Sequence, residues 1–277
     1  MIDFDATLHL KSVSMMPDED INIGVTALAM VADDHVGVSV HRYIQILEKI
    51  QNQVGARYRE LLTEGADDDA GVRIAALKHV IYDRHGYYSD DGEPLEGADL
   101  MRVLDQGKGC STALCILYMD AARAQGWRIY GLDFPSRYLC RIEHMAQRLI
   151  FDPSELCKVM EAHDLRAMVK DALGVAAELS TGYYDAQDAR GSIVHLCNHL
   201  KSRRIEMGEY REAVIMIERM RIVAPDEYRL LLDAGVLYMR LNENERAVVC
   251  LEEYIEKCED VYDRHEAELL LRDIPRS

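Results

Sequence analysis

Two segments near the carboxyl end, "MGEYREAVIMIERMRIVAPDE" and "LNENERAVVCLEEYIEKCEDV", are one pattern written twice. Laid over one another they superpose Ala213 on Ala247, Ile217 on Leu251 and Met220 on Tyr254, each pair 34 residues apart. A repeat of this length is a helix–turn–helix unit that cannot bury its own apolar face, so the copies must stack to make a core. Small residues at matched positions let the paired helices approach closely. The period predicts two stacked helix pairs, at about 194–227 and 228–261, within an all-α domain spanning 191–277. A generic helical tail is the weaker reading, because too many positions coincide. Two pairs alone leave a long apolar flank, which predicts docking on the preceding domain or on a helix from residues 160 to 190.

Upstream, the apolar spacing is again helical. After Pro17, Ile21, Val25, Leu28 and Ala32 fall on one face, with acids at the start where the helix dipole favours them. Tyr43, Leu47, Ile50 and Val54 predict a second helix, and Ile74, Leu77 and Ile81 a third around 71–84. "GYYSDDGEPLEGAD" reads as a surface loop from its turn residues. A helix over 110–125 follows, then three short strand-like runs, "RIYGLDF", "RYLCRIE" and "RLIFDP". The fold class is therefore α+β: residues 1–190 form a mostly helical domain with a small antiparallel sheet, followed by the all-α repeats.

Charge narrows the partners. Forty-nine acidic against 32 basic residues give a formal charge of −17, which repels nucleic acid and anionic membranes. The start of the chain has no basic segment followed by an apolar stretch, and no later run is long enough to span a bilayer, so a soluble cytoplasmic protein is expected. Seven cysteines are scattered without an exported context. They read as reduced thiols, with Cys115, Cys140, Cys197 and Cys250 as small core residues.

Cys110 is the best nucleophile candidate. In "DQGKGCSTALCILYMDAARAQGW" it opens a helix, where the dipole and unpaired amides stabilise a thiolate. Gly107 and Gly109 allow a tight approach. The same stretch is not a phosphate loop, because the second Gly-Lys of that motif is missing.

From about residue 18 to the end the chain resembles the bacterial SirB-type family, which joins a transglutaminase-like domain to tetratricopeptide repeats. The resemblance rests on "ALAMVADD", "LDQGKGCSTALCILYMDAARAQGW", "FPSRYLCRI" with "FDP", and the repeat segment with its "DAGVLY". It implies a Cys-His-Asp triad in which Cys110 stands at the nucleophile position and Asp152 at the orienting acid. The histidine position is Arg137. Where the family's fuller stretch reads Phe-Pro-Gly-His-Phe-Leu, Ser136 and Arg137 replace glycine and histidine. Arginine stays protonated and cannot relay the thiol's proton. Its planar fork can instead hold Asp152 as a structural ion pair or favour a Cys110 thiolate, and Arg141, of the same strand parity, would make the pocket cationic.

Among other histidines, His144 reads as a solvated turn residue and His85 as a helix C-terminal cap. His195 and His199 are spaced i, i+4, but with no third ligand in sight zinc is not expected, and no cofactor is implied. The leading functional reading is a non-catalytic protein-interaction module with a degenerate triad. The alternative is a cysteine-dependent amide hydrolase or acyltransferase using Cys110. Partner recognition is expected in the groove of the first helices of the two pairs, with His199, Arg203, Leu232 and Tyr238 as lining candidates. A basic peptide best matches so acidic a chain.

Overall fold

The computed structural model describes residues 4–90 and 96–275. The chain opens with a helix that the sequence reading missed, α1 (Ala6–Ser14), whose Ala6, Leu10 and Val13 are buried and whose amide of Leu8 is capped by Asp5 at 2.8 Å. Asp18–Asp20 form a short 3-10 turn, and α2 (Ile23–Val31) starts only at the Asn22 cap. Rather than one apolar face, α2 buries nearly its whole circumference, because it lies among neighbouring helices on every side. The third helix, α3 (Val40–Thr63), buries Tyr43, Leu47, Ile50 and Val54 as their spacing predicts. Next comes α4 (Ala70–Lys78), capped by Asp69 and continued by a wider π-helical turn over His79–Arg84.

The expected loop is not wholly a loop. Strand β1 (Tyr88–Ser89) pairs in parallel with β2 (Lys108–Gly109), and the helix between them, α5 (Leu100–Gln106), is capped by Asp99. Residues 91–95 of that stretch lie outside the described residues. The central helix α6 (Ser111–Arg123) then runs beneath a five-stranded sheet.

All pairings in that sheet are antiparallel. Its strands are β3 (Arg128–Phe134), β4 (Arg137–His144), β5 (Gln147–Asp152), β6 (Lys158–Val159) and β7 (Ala186–Gln187), in the order β6-β5-β4-β3-β7. A tight turn through Pro135 and Ser136, with φ of 70° at Ser136, sets Phe134 opposite Arg137. Alternation then assigns faces. Tyr138, Cys140 and Ile142 join the core shared with α6, whereas Leu132, Phe134 and Leu139 pack on α7 (Ala162–Leu173) through Leu165 and Val169.

Asp120 of α6 sits deep between α2 and α3. It accepts from the amide of Gly24 at 3.1 Å and from Gln51 Nε2 at 2.8 Å. A Cβ on Gly24 would lie 2.6 Å from the carboxylate, so only glycine permits the approach. Burial raises the pKa of this carboxyl, and the hydrogen bonds from Gln51 and Gly24 only partly oppose it. The unfolded chain therefore releases the proton at lower pH than the folded one. Stability should fall as pH rises from the ordinary carboxylate value through the raised one, then level off. In Asp120→Asn that falling stretch should vanish from a stability–pH curve measured by urea unfolding. An unchanged slope would contradict the assignment.

The repeats form α8 (Ala189–Glu206), α9 (Tyr210–Val223), α10 (Arg229–Arg240) and α11 (Asn244–Lys257). Ala213 and Ala247 are fully buried, and a Cβ on Gly235 would lie 2.8 Å from Leu251. The sequence reading left the array uncapped. Instead α12 (Val261–Asp273) covers α11, with Ala267 packed among Leu231, Tyr254 and Cys258.

The array docks on the amino-terminal helices rather than on residues 160–190. Its apolar core is continuous with theirs, and three polar clamps fix the joint. Arg219 reaches the carbonyl of Met30 at 2.7 Å, Asp34 at 3.1 Å and Asp33 at 3.2 Å. Arg190 donates to the carbonyls of Val13, Met16 and Val223. Asp18 caps α8, accepting from the amides of Ala189 and Arg190, both at 3.0 Å. No helix among the described residues is long and apolar enough to cross a membrane.

Candidate functional site

Cys110 is the N-cap residue of α6, with extended backbone at φ −68° and ψ 163°. Of the seven cysteines it alone is partly exposed. The two glycines before it act as the sequence suggests. Gly107 ends α5 in the left-handed conformation at φ 76°, and a Cβ on Gly109 would lie 2.9 Å from Val103. A further glycine, Gly97, accepts from the Cys110 amide at 2.8 Å, and its own Cβ would come within 3.1 Å of that nitrogen. Cys115 and Cys140 lie buried behind, and burial foremost raises the pKa of the Cys115 thiol.

Arg137 and Asp152 meet as their matched positions suggest. The guanidinium donates from one nitrogen to Asp152 Oδ2 at 3.0 Å and to Glu155 Oε1 at 2.7 Å. The expected bidentate fork is thus replaced by one nitrogen bridging two carboxylates. Asp152 is wholly buried, and its other oxygen accepts from the Ser154 amide at 2.8 Å and from the Ser154 hydroxyl. Partial burial disfavours the Arg137 charge, but the bonds to Glu155 and Asp152 outweigh it and its pKa is raised. Such a group holds a carboxylate in place and moves no proton.

Asp152 and Cys110 both stand near the Cys115 thiol, whose pKa their charges raise further, and the short 3-10 turn after Asp152 packs on α6. Arg137 and Asp152 line a cleft of about 390 Å³ with Ser136, Met160 and Met168, on the side of the sheet covered by α7. Cys110 packs against the core on the α6 side. The residues next to Arg137 and Cys110 are joined too, the amide of Tyr138 donating to Ser111 Oγ at 3.4 Å. Arg141 does not make this cleft cationic. It turns to the Tyr184 carbonyl at 2.7 Å and stacks over Tyr130.

The remaining histidines are structural or unexpected. His144 is not a solvated turn residue, since its ring contacts the Asp68 carbonyl at 3.1 Å and Asp68 Oδ1 at 3.3 Å. His85 bonds Gln53 at 2.6 Å, and burial foremost lowers its pKa. His195 and His199 do share a face of α8, their rings 5.2 Å apart. His195 stacks on Tyr138 at 4.5 Å, and His199 Nε2 lies 3.2 Å from Thr112 Oγ1 in the first turn of α6. Among the described residues no group of three or more His, Cys, Asp or Glu side chains is placed to hold a metal ion.

The groove expected from the first helices of the repeats exists as a cleft of about 790 Å³ between β3, β7, α8 and α10. None of the four residues expected to line it, His199, Arg203, Leu232 and Tyr238, does so. Its α8 wall is made by His195, Asn198, Lys201 and Ser202. His199 turns instead toward α6, and Arg203 pairs with Glu206 at 3.0 Å. Leu232 packs against the core. Tyr238 is 1% exposed, lying beneath Arg246 with its hydroxyl donating to Glu218 at 2.9 Å. A polar stripe at 195, 198 and 202 was the available signal, and it was masked by the apolar residues between.

Residues 41–198 match the family described as transglutaminase-like superfamily, and residues 200–272 match the tetratricopeptide repeat. Similar proteins include a UPF0162 protein of Xylella fastidiosa, 20% identical over 89% of this chain and 87% of that protein. A UPF0162 protein of Vibrio cholerae is 22% identical over 69% of this chain and 71% of that one. The SirB1 protein of Salmonella typhimurium is 23% identical over 57% and 59% respectively. No solved structure gives a significant match.

Proposed function

Since the chain belongs to the transglutaminase-like superfamily, in the SirB-type arrangement of that domain followed by tetratricopeptide repeats, we propose that it is a non-catalytic protein-interaction module. The observation that carries this reading is Arg137, which stands where the proton-relaying histidine would be and is held by Asp152 and Glu155. An acyl-transfer cycle at Cys110 lacks its general base and acid there. The transglutaminase-like part, dividing from the repeats near residue 190, then serves as scaffold, and the repeats supply recognition. Seven cysteines scattered along the sequence without an exported context support a place in the reducing cytoplasm.

The competing reading, a cysteine-dependent hydrolase or acyltransferase, draws on Cys110 at the helix start with its partly exposed thiol. Two assays separate them. Fluorogenic amide and thioester substrates should show no turnover that depends on Cys110, compared with Cys110→Ala. Deleting the repeats would expose the shared core, so recognition is better tested by Ser202→Trp, which fills the cleft from an exposed position. Partners captured by the unmodified chain should be lost by this variant. Cys110-dependent turnover would overturn the proposal.

A further inference from the structure

We propose that the cleft between the sheet edge, α8 and α10 docks an extended segment of a partner protein that carries lysine or arginine side chains. The inference rests on the reading of the chain as an interaction module and adds where the partner sits and what it presents. The cleft is composite: Asp133 of β3 and Gln187 of β7 form one wall, α8 the floor, and Asp226 and Glu227, before α10, the other wall. A partner seated there touches both halves of the molecule.

Charge selects the occupant. Of the cations on the lining, Arg190 is engaged with three backbone carbonyls and Lys201 is paired with Asp233. Arg229 is the exposed cation that remains. Around it stand Asp133, Asp226 and Glu227, all exposed, with Glu227 Oε1 accepting from the Arg229 amide at 3.3 Å. Among the described residues Asp226 and Glu227 enter no ion pair. Asp133 lies 3.6 Å from His195, whose pKa is lowered chiefly by burial although Asp133 itself raises it. A neutral imidazole leaves that carboxylate uncompensated. An anionic segment would meet three like charges, and a cationic one finds them waiting.

The second feature is independent of charge. Gln187 on one wall and Asn198 on the floor line the cleft with side-chain amides that bond to nothing else among the described residues. Each offers a donor and an acceptor, the complement of an extended backbone. Gly191 lets the Gln187 wall close on α8, since a Cβ there would lie 2.5 Å from Gln187 Oε1. Carboxylates on the walls and amides between them fit a peptide with basic side chains better than a free polyamine, which has no carbonyls to offer.

The test uses the full chain and a fluorescein-labelled heptapeptide of alternating alanine and lysine, read by anisotropy in about 150 mM salt, where long-range charge is screened. The combined variant Asp133→Asn, Asp226→Asn, Glu227→Gln should weaken binding by about tenfold or more. Removing as many charges from α11 and the turn after it, with Glu252→Gln, Glu256→Gln and Glu259→Gln, should change it by less than about twofold. Asn198→Ala should weaken the peptide and leave spermine binding unchanged. Equal losses in the two charge variants, no binding by the unmodified chain, or spermine binding as tightly as the peptide would each overturn the inference. If partner capture is lost in Ser202→Trp but unaffected by the cleft carboxylate variant, this inference fails and the interaction reading stands. Cleft-confined peptide binding in a chain that also hydrolyses an amide through Cys110 would do the reverse.

Discussion

Arg219→Ala should lower the unfolding free energy of the whole chain by about 3 kcal/mol, the scale set by removing one partner of a buried ion pair. Arg219 is 8% exposed and serves the Met30 carbonyl and both Asp33 and Asp34 from the far side of the joint. Its loss leaves that carbonyl unsatisfied and strips Asp34 of one of two arginines, the other being Arg204. Asp33 is well exposed, so water takes over part of its role and the effect stays at the lower end of the range. Because one apolar core spans the joint, urea unfolding should remain a single transition at a lower midpoint. A change below about 0.5 kcal/mol, as for an ordinary surface substitution, would show that apolar packing alone holds the two parts.

Arg137→Ala should cost about 2 kcal/mol, a value reduced from that of a fully buried pair because the arginine is 31% exposed. The loss falls on Asp152, fully buried and left with Ser154 alone. Asp152→Ala should cost a similar amount, since the guanidinium then keeps only Glu155 and a long contact to the Ser154 hydroxyl. The double variant should cost clearly less than the sum of the two, because each single change strands the other's charge. Strictly additive effects would mean that the pair contributes nothing as a pair.

The repeats were legible because their period repeats the same packing problem, so Ala213 and Ala247 stand in equivalent buried places. The three long strands were legible from their turns. What failed was anything set by tertiary contact. α2 reads as amphipathic but lies among helices on all sides, and α12 carries no repeat pattern because it has only one neighbour to match. The pairing of Arg137 with Asp152 followed from the matched family stretch, whereas the cleft they line depends on strand parity, which places Leu139 on α7 and Tyr138 on the other side. Groove residues were misjudged for a similar reason. A helix phase wrong by one residue turns Tyr238 from a surface ring into a core one.

Arg137 should give Cys110 neither a proton relay nor a stabilising charge. The rate of Cys110 alkylation with iodoacetamide across pH, in the unmodified chain and in Arg137→Met, tests this. The other six cysteines are buried, so the fast phase reports this thiol, and Cys110→Ala supplies the blank. The two profiles should superpose, with midpoints equal and rates within about twofold, since the guanidinium's charge is taken up by Asp152 and Glu155. A midpoint that rises by about one pH unit or more in Arg137→Met would show that the arginine's charge stabilises the thiolate after all.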